Sequence, residues 1–165
     1  MLTLLIMRHC HAGANLAARL NDRTRSLSPQ GAAAATEIGQ ALADQQLVPQ
    51  IVLTSNAIRT QQTADLVAKA AVVPEIAINT FRELYHGSAE DYLEILNAQD
   101  SDHSTILIIG HNPAVSTFFG SCRGKGANTG FFKPGELAIV QIDISSWSQL
   151  RFHMAECTGI ISPSG

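Results

Sequence analysis

Residues 104–113 read STILIIGHNP. The uncharged run 104–109 has the character of a strand buried on both faces. It ends in Gly110-His111-Asn112, and Pro113 falls near the first position of a following helix. Working back along the chain, residues 88–98 read as a helix, with Ser88 and Asp91 in a capping-box relation. Residues 75–78 are a short strand candidate. Residues 57–71 form a helix that Ser55 or Asn56 would cap, preceded by a second buried strand, QIVLT, at 50–54. Residues 28–46 are a third helix, with Ser28 as N-cap and Pro29 at its first position. The chain opens on another uncharged run, LTLLIM, at 2–7. Downstream, residues 121–135 are a glycine-rich loop carrying Arg123, Lys125 and Lys133, and residues 136–142 and 149–156 read as a final pair of strands. Strands alternating with helices predict a three-layer α/β/α sandwich with a mainly parallel sheet, the last run adding an antiparallel edge strand.

The 165 residues and 17.6 kDa suit a single domain spanning 1–165. A folded chain of this mass exposes roughly 8,000 Å² of the ~25,000 Å² of its extended form, enough burial for a core without staples. An apolar share of 45% and a mean hydropathy of +0.10 exclude an intrinsically disordered chain. A net charge of −3 and a pI near 6.0 exclude a globally basic nucleic-acid binder and give no attraction to an anionic membrane. Cys10, Cys122 and Cys157 are too few and too scattered for a disulfide framework, which fits a reducing compartment. The start, MLTLLIMRHC, lacks the basic opening and small-residue cleavage site of a signal peptide. No apolar stretch approaches the ~18 residues of a membrane span. The expected location is the cytoplasm.

In open sheets of this kind, ligands bind beyond the carboxyl ends of the strands. The first strand ends in Arg8-His9-Cys10-His11, the second in Ser55 with Arg59 a turn into the next helix, and the central one in Gly110-His111. These cations repel one another unless an anion sits among them. Arg59 lies where the helix dipole is positive, a place that suits arginine only if both face a bound anion. The arginine fork fits phosphate or carboxylate oxygens, and neutral histidine can attack and carry a phosphoryl group. Protein cations would then neutralise the transferring oxygens without a metal.

Other features support simpler readings. His9 and His11 flank Cys10, but adjacent residues rarely converge on one ion, and neighbouring arginines oppose a divalent cation. No metal site is expected, and His11 is assigned to the rim of the pocket or to solvent. The loop GSCRGKGANTGFFK at 120–133 lacks P-loop spacing and a preceding strand, leaving a basic surface loop. His86, His103 and His153 are structural or exposed, and Phe118, Phe119, Phe131 and Phe132 serve core or lid packing. A Cys10 thiolate beside Arg8 would have a lowered pKa.

Five segments in order carry a family resemblance: MRHCHA at 7–12, LSPQG at 27–31, TSNAIRTQQTA at 54–64, FRELYHG at 81–87 and LIIGHNP at 107–113. The chain resembles the histidine phosphatase superfamily, the Arg-His-Gly enzymes that include phosphoglycerate mutases and acid phosphatases. Its short length, RSLSPQG at 25–31 and ELYHGSAEDYLEIL at 83–96 are most similar to the SixA-type phosphohistidine phosphatases. The resemblance implies that His9 is the nucleophile and that Arg8, Arg59 and His111 hold the phosphoryl oxygens. Arg25 would lie near the pocket, Asn15 would contact phosphate, and Glu83 would protonate the leaving group. Cys10 stands where the family has glycine. The implied activity is a cofactor-free phosphatase with a phosphohistidine intermediate, acting on phosphohistidine of a protein and releasing phosphate. Alternatives are a phosphatase for small phosphomonoesters or nucleotides, and a phosphate- or phosphoprotein-binding module without turnover.

Overall fold

The computed structural model describes residues 1–14, 21–72, 75–124 and 130–164. The uncharged runs become neighbouring strands: β1 is Leu2–Arg8, β2 Ile51–Thr54, β3 Ala77–Thr80, β4 Thr105–Gly110, β5 Leu137–Ile142 and β6 Ala155–Ile161. The helices are α1 Pro29–Asp44, α2 Ile58–Ala70, α3 Glu83–His86, α4 Ala89–Asn97 and α5 Ala114–Cys122. Sheet order is β3-β2-β4-β1-β5-β6. β1 to β4 are mutually parallel, β5 runs against β1, and β6 at the edge runs against β5. The expected mainly parallel sheet therefore stands; the strand that runs against the others is β5, inside the sheet, while the edge strand β6 runs the same way as β1 to β4.

Strand alternation sorts the core into two layers. Leu4, Ile6, Leu53, Ile106 and Ile108 pack with Leu84, Tyr92, Leu96 and Phe118, which places α3, α4 and α5 on one face. Leu5, Met7, Val52, Leu107 and Ile109 pack with Ile38 and Leu42 of α1 and Val67 of α2 on the other. Each such Leu, Ile or Val contributes about 1.5–3 kcal/mol by leaving water. Phe118, Phe119 and Phe132 are buried, whereas Phe131 is 71% exposed. α1 lies close against α2 because residue 39 is glycine: a Cβ there would come within 2.4 Å of the Val67 carbonyl oxygen.

Local chemistry explains most boundaries. The Ser28 hydroxyl accepts from the Gly31 amide at 3.0 Å and Pro29 opens α1. Ser88 and Asp91 form a complete capping box on α4. Three expectations need correction. The N-cap of α2 is Ala57, which makes no side-chain cap bond; Ser55 instead spends its hydroxyl on Thr60 and His111. β3 begins two residues later than expected, and the four-residue α3 follows it. The last strand begins at Ala155: residues 147–149 form a 3-10 turn in which Trp147 is buried and donates to the His103 carbonyl at 2.6 Å, and a second turn at 152–153, with His153 at φ +66°, precedes the strand. Residues 125–129 of the expected basic loop, including Lys125, lie outside the described residues.

Candidate active site

The ends of β1, β4 and β2 lie side by side: Arg8 is in register with Gly110, and Thr54 with Ile109. Gly110 lets β4 finish against α4, since a Cβ there would sit 1.9 Å from the Tyr92 hydroxyl oxygen. His9 follows β1, and its amide donates to the Gly110 carbonyl at 3.1 Å. The Gly135 amide lies 3.2 Å from the carbonyls of both Arg8 and His9. His9 is therefore fixed by its backbone from two sides. Its Nδ1 is 2.7 Å from the Cys10 carbonyl. Only a protonated Nδ1 can donate to a carbonyl, so the lone pair is on Nε2, where the Arg59 Nε–H reaches it at 3.4 Å.

Arg59, on the first turn of α2, brings the histidines together. It is 4% exposed, His9 7% and His111 6%. The Arg59 Nε lies 3.4 Å from His9 Nε2, and Nη2 lies 3.3 Å from His111 Nδ1. The two imidazole centroids are 4.9 Å apart. His111 is oriented by the Ser55 hydroxyl, 2.7 Å from its Nε2. When Ser55 donates to Nε2, the proton of His111 sits on Nδ1, where it can be donated to an oxyanion. Thr63 joins the segments by accepting from the Cys10 amide at 3.2 Å and donating to the Arg59 carbonyl at 2.7 Å.

Arg8 Nη1 donates to the Phe132 carbonyl at 2.8 Å. The Nε atoms of Arg8 and Arg25 are buried with no hydrogen-bond partner among the described residues. Buried, unsatisfied cationic donors are costly, and an anion would complete them. Arg25 Nη2 also reaches Asp22 at 3.4 Å. Asp22 and Tyr85 are site residues that sequence reasoning missed. The Asp22 Oδ2 accepts from Arg59 Nη2 at 2.7 Å and from the Tyr85 hydroxyl at 2.6 Å. The Tyr85 ring stands edge-on to His111 at 5.1 Å. The sequence signal for Asp22 was its place three residues before Arg25; Tyr85 lay inside a quoted motif with no role given to it.

Of the remaining expected residues, Glu83 is not joined to this cluster. Asn15 lies outside the described residues. Glu83 is exposed and lines a separate groove with Phe81, Asp91, Glu94 and Ile95. His11 bonds through Nδ1 to the Ser28 hydroxyl at 2.8 Å. Cys10 is fully buried, and Gly135, at φ +84°, leaves room for its sulfur: a Cβ on Gly135 would come within 3.3 Å of Sγ. Burial pushes the Cys10 thiol up to about 12, which overturns the expected thiolate.

Burial, with the charges of Arg59, Arg8 and Arg25 added, pushes His9 down to about 4 against the pull of the Cys10 carbonyl. Burial, followed by His9 and Arg59, pushes His111 down to about 2. Both rings are neutral at pH 7, so the site offers an imidazole lone pair among fixed guanidinium cations. The unfolded chain takes protons on these histidines below about 6.5, whereas the folded chain refuses them until about 4 or lower. Stability therefore falls on acidification from pH 6.5 toward 4, by up to ~1.4 kcal/mol per pH unit per histidine. Denaturant midpoints measured across that range should drop in the wild type and drop less in His9→Ala. A flat wild-type profile would contradict the neutral buried pair.

The profile of the histidine phosphatase superfamily, branch 1, matches residues 4–113. The chain belongs to this superfamily, and it is a phosphatase. A Nakamurella multipartitia protein assigned as the phosphohistidine phosphatase SixA superposes with a TM-score of 0.85 at 26% identity, covering 99% of this chain and 97% of that one. The protein histidine phosphatase SixA complexed with tungstate gives a TM-score of 0.83 at 22% identity over 98% of this chain and 97% of that one, a likeness of fold. An uncharacterized chloroplastic protein of Arabidopsis thaliana is 30% identical over 154 residues, covering 88% of this chain and 69% of that protein. Among the described residues, no helix is long and apolar enough to cross a membrane.

Proposed function

We propose that the chain is a metal-independent phosphohistidine phosphatase acting on a phosphorylated protein. The observation that carries this reading is the His9 Nε2 lone pair, set against the Arg59 guanidinium and facing His111. In the first step Nε2 attacks phosphorus, a new N–P bond forms, and the bond to the leaving nitrogen breaks. Arg8, Arg59, Arg25 and His111 hold the phosphoryl oxygens. In the second step water attacks phosphorus, the His9–P bond breaks, phosphate leaves, and the proton of the water passes to solvent. Asn15 is assigned to phosphate contact by resemblance alone.

The preference for phosphohistidine rests on protons. The carboxylate in contact with the cluster, Asp22, is held below its ordinary range, first by the Tyr85 hydroxyl and then by Arg59. It is ionised at neutral pH and cannot serve as an acid. An imidazole leaving group can take its proton beforehand on the ring nitrogen remote from phosphorus, whereas an alkoxide needs a donor as the bond breaks. The connection from β3 to β4 also supports a protein substrate, because it consists of α3 and α4, whose Leu84, Tyr92 and Leu96 are buried against the sheet. That leaves a phosphorylated side chain room to approach.

A hydrolysis panel without added metal tests the reading. A phosphohistidine protein should be turned over at least ~10²-fold faster than alkyl phosphomonoesters or nucleotides, the scale of one missing acid. Glu83→Gln should leave phosphohistidine turnover intact; if it also abolishes the residual alkyl phosphatase activity, Glu83 is the proton donor for such esters. A panel led by a nucleotide or sugar phosphate would overturn the protein-substrate reading.

A further inference from the structure

Arg59 presents two usable edges, and they face different neighbours. The side edge, Nε and Nη2, faces the histidines through contacts of 3.4 and 3.3 Å. These contacts are long, and a phosphoryl oxygen arriving in the gap can replace them. Among the described residues, the end edge, Nη1 and Nη2, is gripped by Asp22 alone, through its main-chain carbonyl and its Oδ2, both at 2.7 Å. The grip is itself braced, by the Tyr85 hydroxyl on Oδ2 at 2.6 Å and by Arg25 on Oδ1 at 3.4 Å. Asn21 holds the turn that carries Asp22, its side chain accepting from the Arg23 amide at 3.1 Å.

We infer that Asp22, braced by Tyr85, is a positioning residue that grips the outer edge of Arg59 so that its inner edge faces the gap between His9 and His111. The inference rests on the proposed function, since that gap is where the phosphoryl group would lie. Two other roles make opposite demands. An ordinary exposed ion pair would contribute little to anything. Here, however, the arginine side chain is only 5% exposed against 49% for the aspartate, and the two short Arg59 hydrogen bonds run to that one residue. A carboxylate that competed with the substrate for Arg59 would bond to the edge the substrate needs. Asp22 instead bonds to the other edge, leaving Nε to His9. Tyr85 supports the same geometry, with its ring centroid 5.7 Å from the Arg59 guanidinium carbon.

The test is the rate at which the full-length enzyme takes up phosphate from phosphoramidate as an acid-labile enzyme adduct, with inorganic phosphate affinity measured alongside. Asp22→Ala should slow uptake ~10²-fold, the scale of an angstrom-level misplacement, and weaken phosphate binding. Asp22→Asn should recover to within about fivefold of wild type, because the amide oxygen still accepts from Arg59. In an Arg59→Ala background, Asp22→Ala should cost no more than about twofold, since residues acting through one group are not additive. Faster uptake or tighter phosphate binding in Asp22→Ala overturns the inference, as does an effect of Asp22→Ala that multiplies with that of Arg59→Ala. A wild type that forms no adduct overturns the proposed function and this inference together. A wild-type adduct with Asp22→Ala as fast as wild type overturns this inference alone.

Discussion

Alanine at position 9 is expected to abolish turnover, a loss of ~10⁴-fold or more, while the protein stays folded. The two halves of that expectation have separate causes. Activity disappears because the nitrogen that attacks phosphorus is gone. The fold survives because His9 is held through its backbone, to Gly110 and Gly135, and the substitution keeps both bonds. The side chain gives up its contacts with the Cys10 carbonyl, the Arg59 Nε–H and the His111 ring. The burial that keeps the ring neutral also costs stability in acid, so the variant should resist acidification better than the wild type. Steady-state hydrolysis paired with denaturant titration checks both halves. Full activity in His9→Ala would remove the mechanism, and a failure to fold would contradict the backbone account.

The second large effect falls on Arg59. Arg59→Ala should lower kcat/KM by ~10³-fold, the scale of a lost oxyanion donor in a buried site. Lysine should not restore it. A single ammonium cannot contact both histidines and at the same time bind both oxygens of Asp22. Inorganic phosphate should raise the melting temperature of the wild type, as a ligand that binds only the folded state must. It should do so far less for Arg59→Ala. Arg59→Lys with wild-type kcat/KM would show that bidentate geometry is not what this position supplies.

The fold was legible wherever a local signal sufficed. Uncharged runs gave β1, β2 and β4, and Ser28-Pro29 and the Ser88–Asp91 pair gave the starts of α1 and α4. The polar residues just beyond those strands gave His9, Arg59 and His111, which the structure draws into one cluster, and Arg8, whose charge acts on His9. What was not legible depends on contacts distant in sequence. Ser55 looked like a cap because its composition and place allowed one, but its hydroxyl is taken by His111, 56 positions away. Asp22 becomes part of the site only through Arg59 and Tyr85, 37 and 63 positions away. The late start of β6 was hidden because nothing in the residues of 149–154 marks the turn at 152–153, where His153 takes φ +66°. The thiol at position 10 reads as reactive from its arginine neighbour, yet burial dominates its ionisation.

The central claim is that the imidazole of His9 becomes phosphorylated. Brief mixing of the enzyme with a labile phosphodonor, a rapid quench and peptide mapping test it most directly. The account predicts one acid-labile, base-stable phosphate per chain, located on His9 and absent from His9→Ala. Turnover without such an adduct, or a label on another residue that survives His9→Ala, would contradict it.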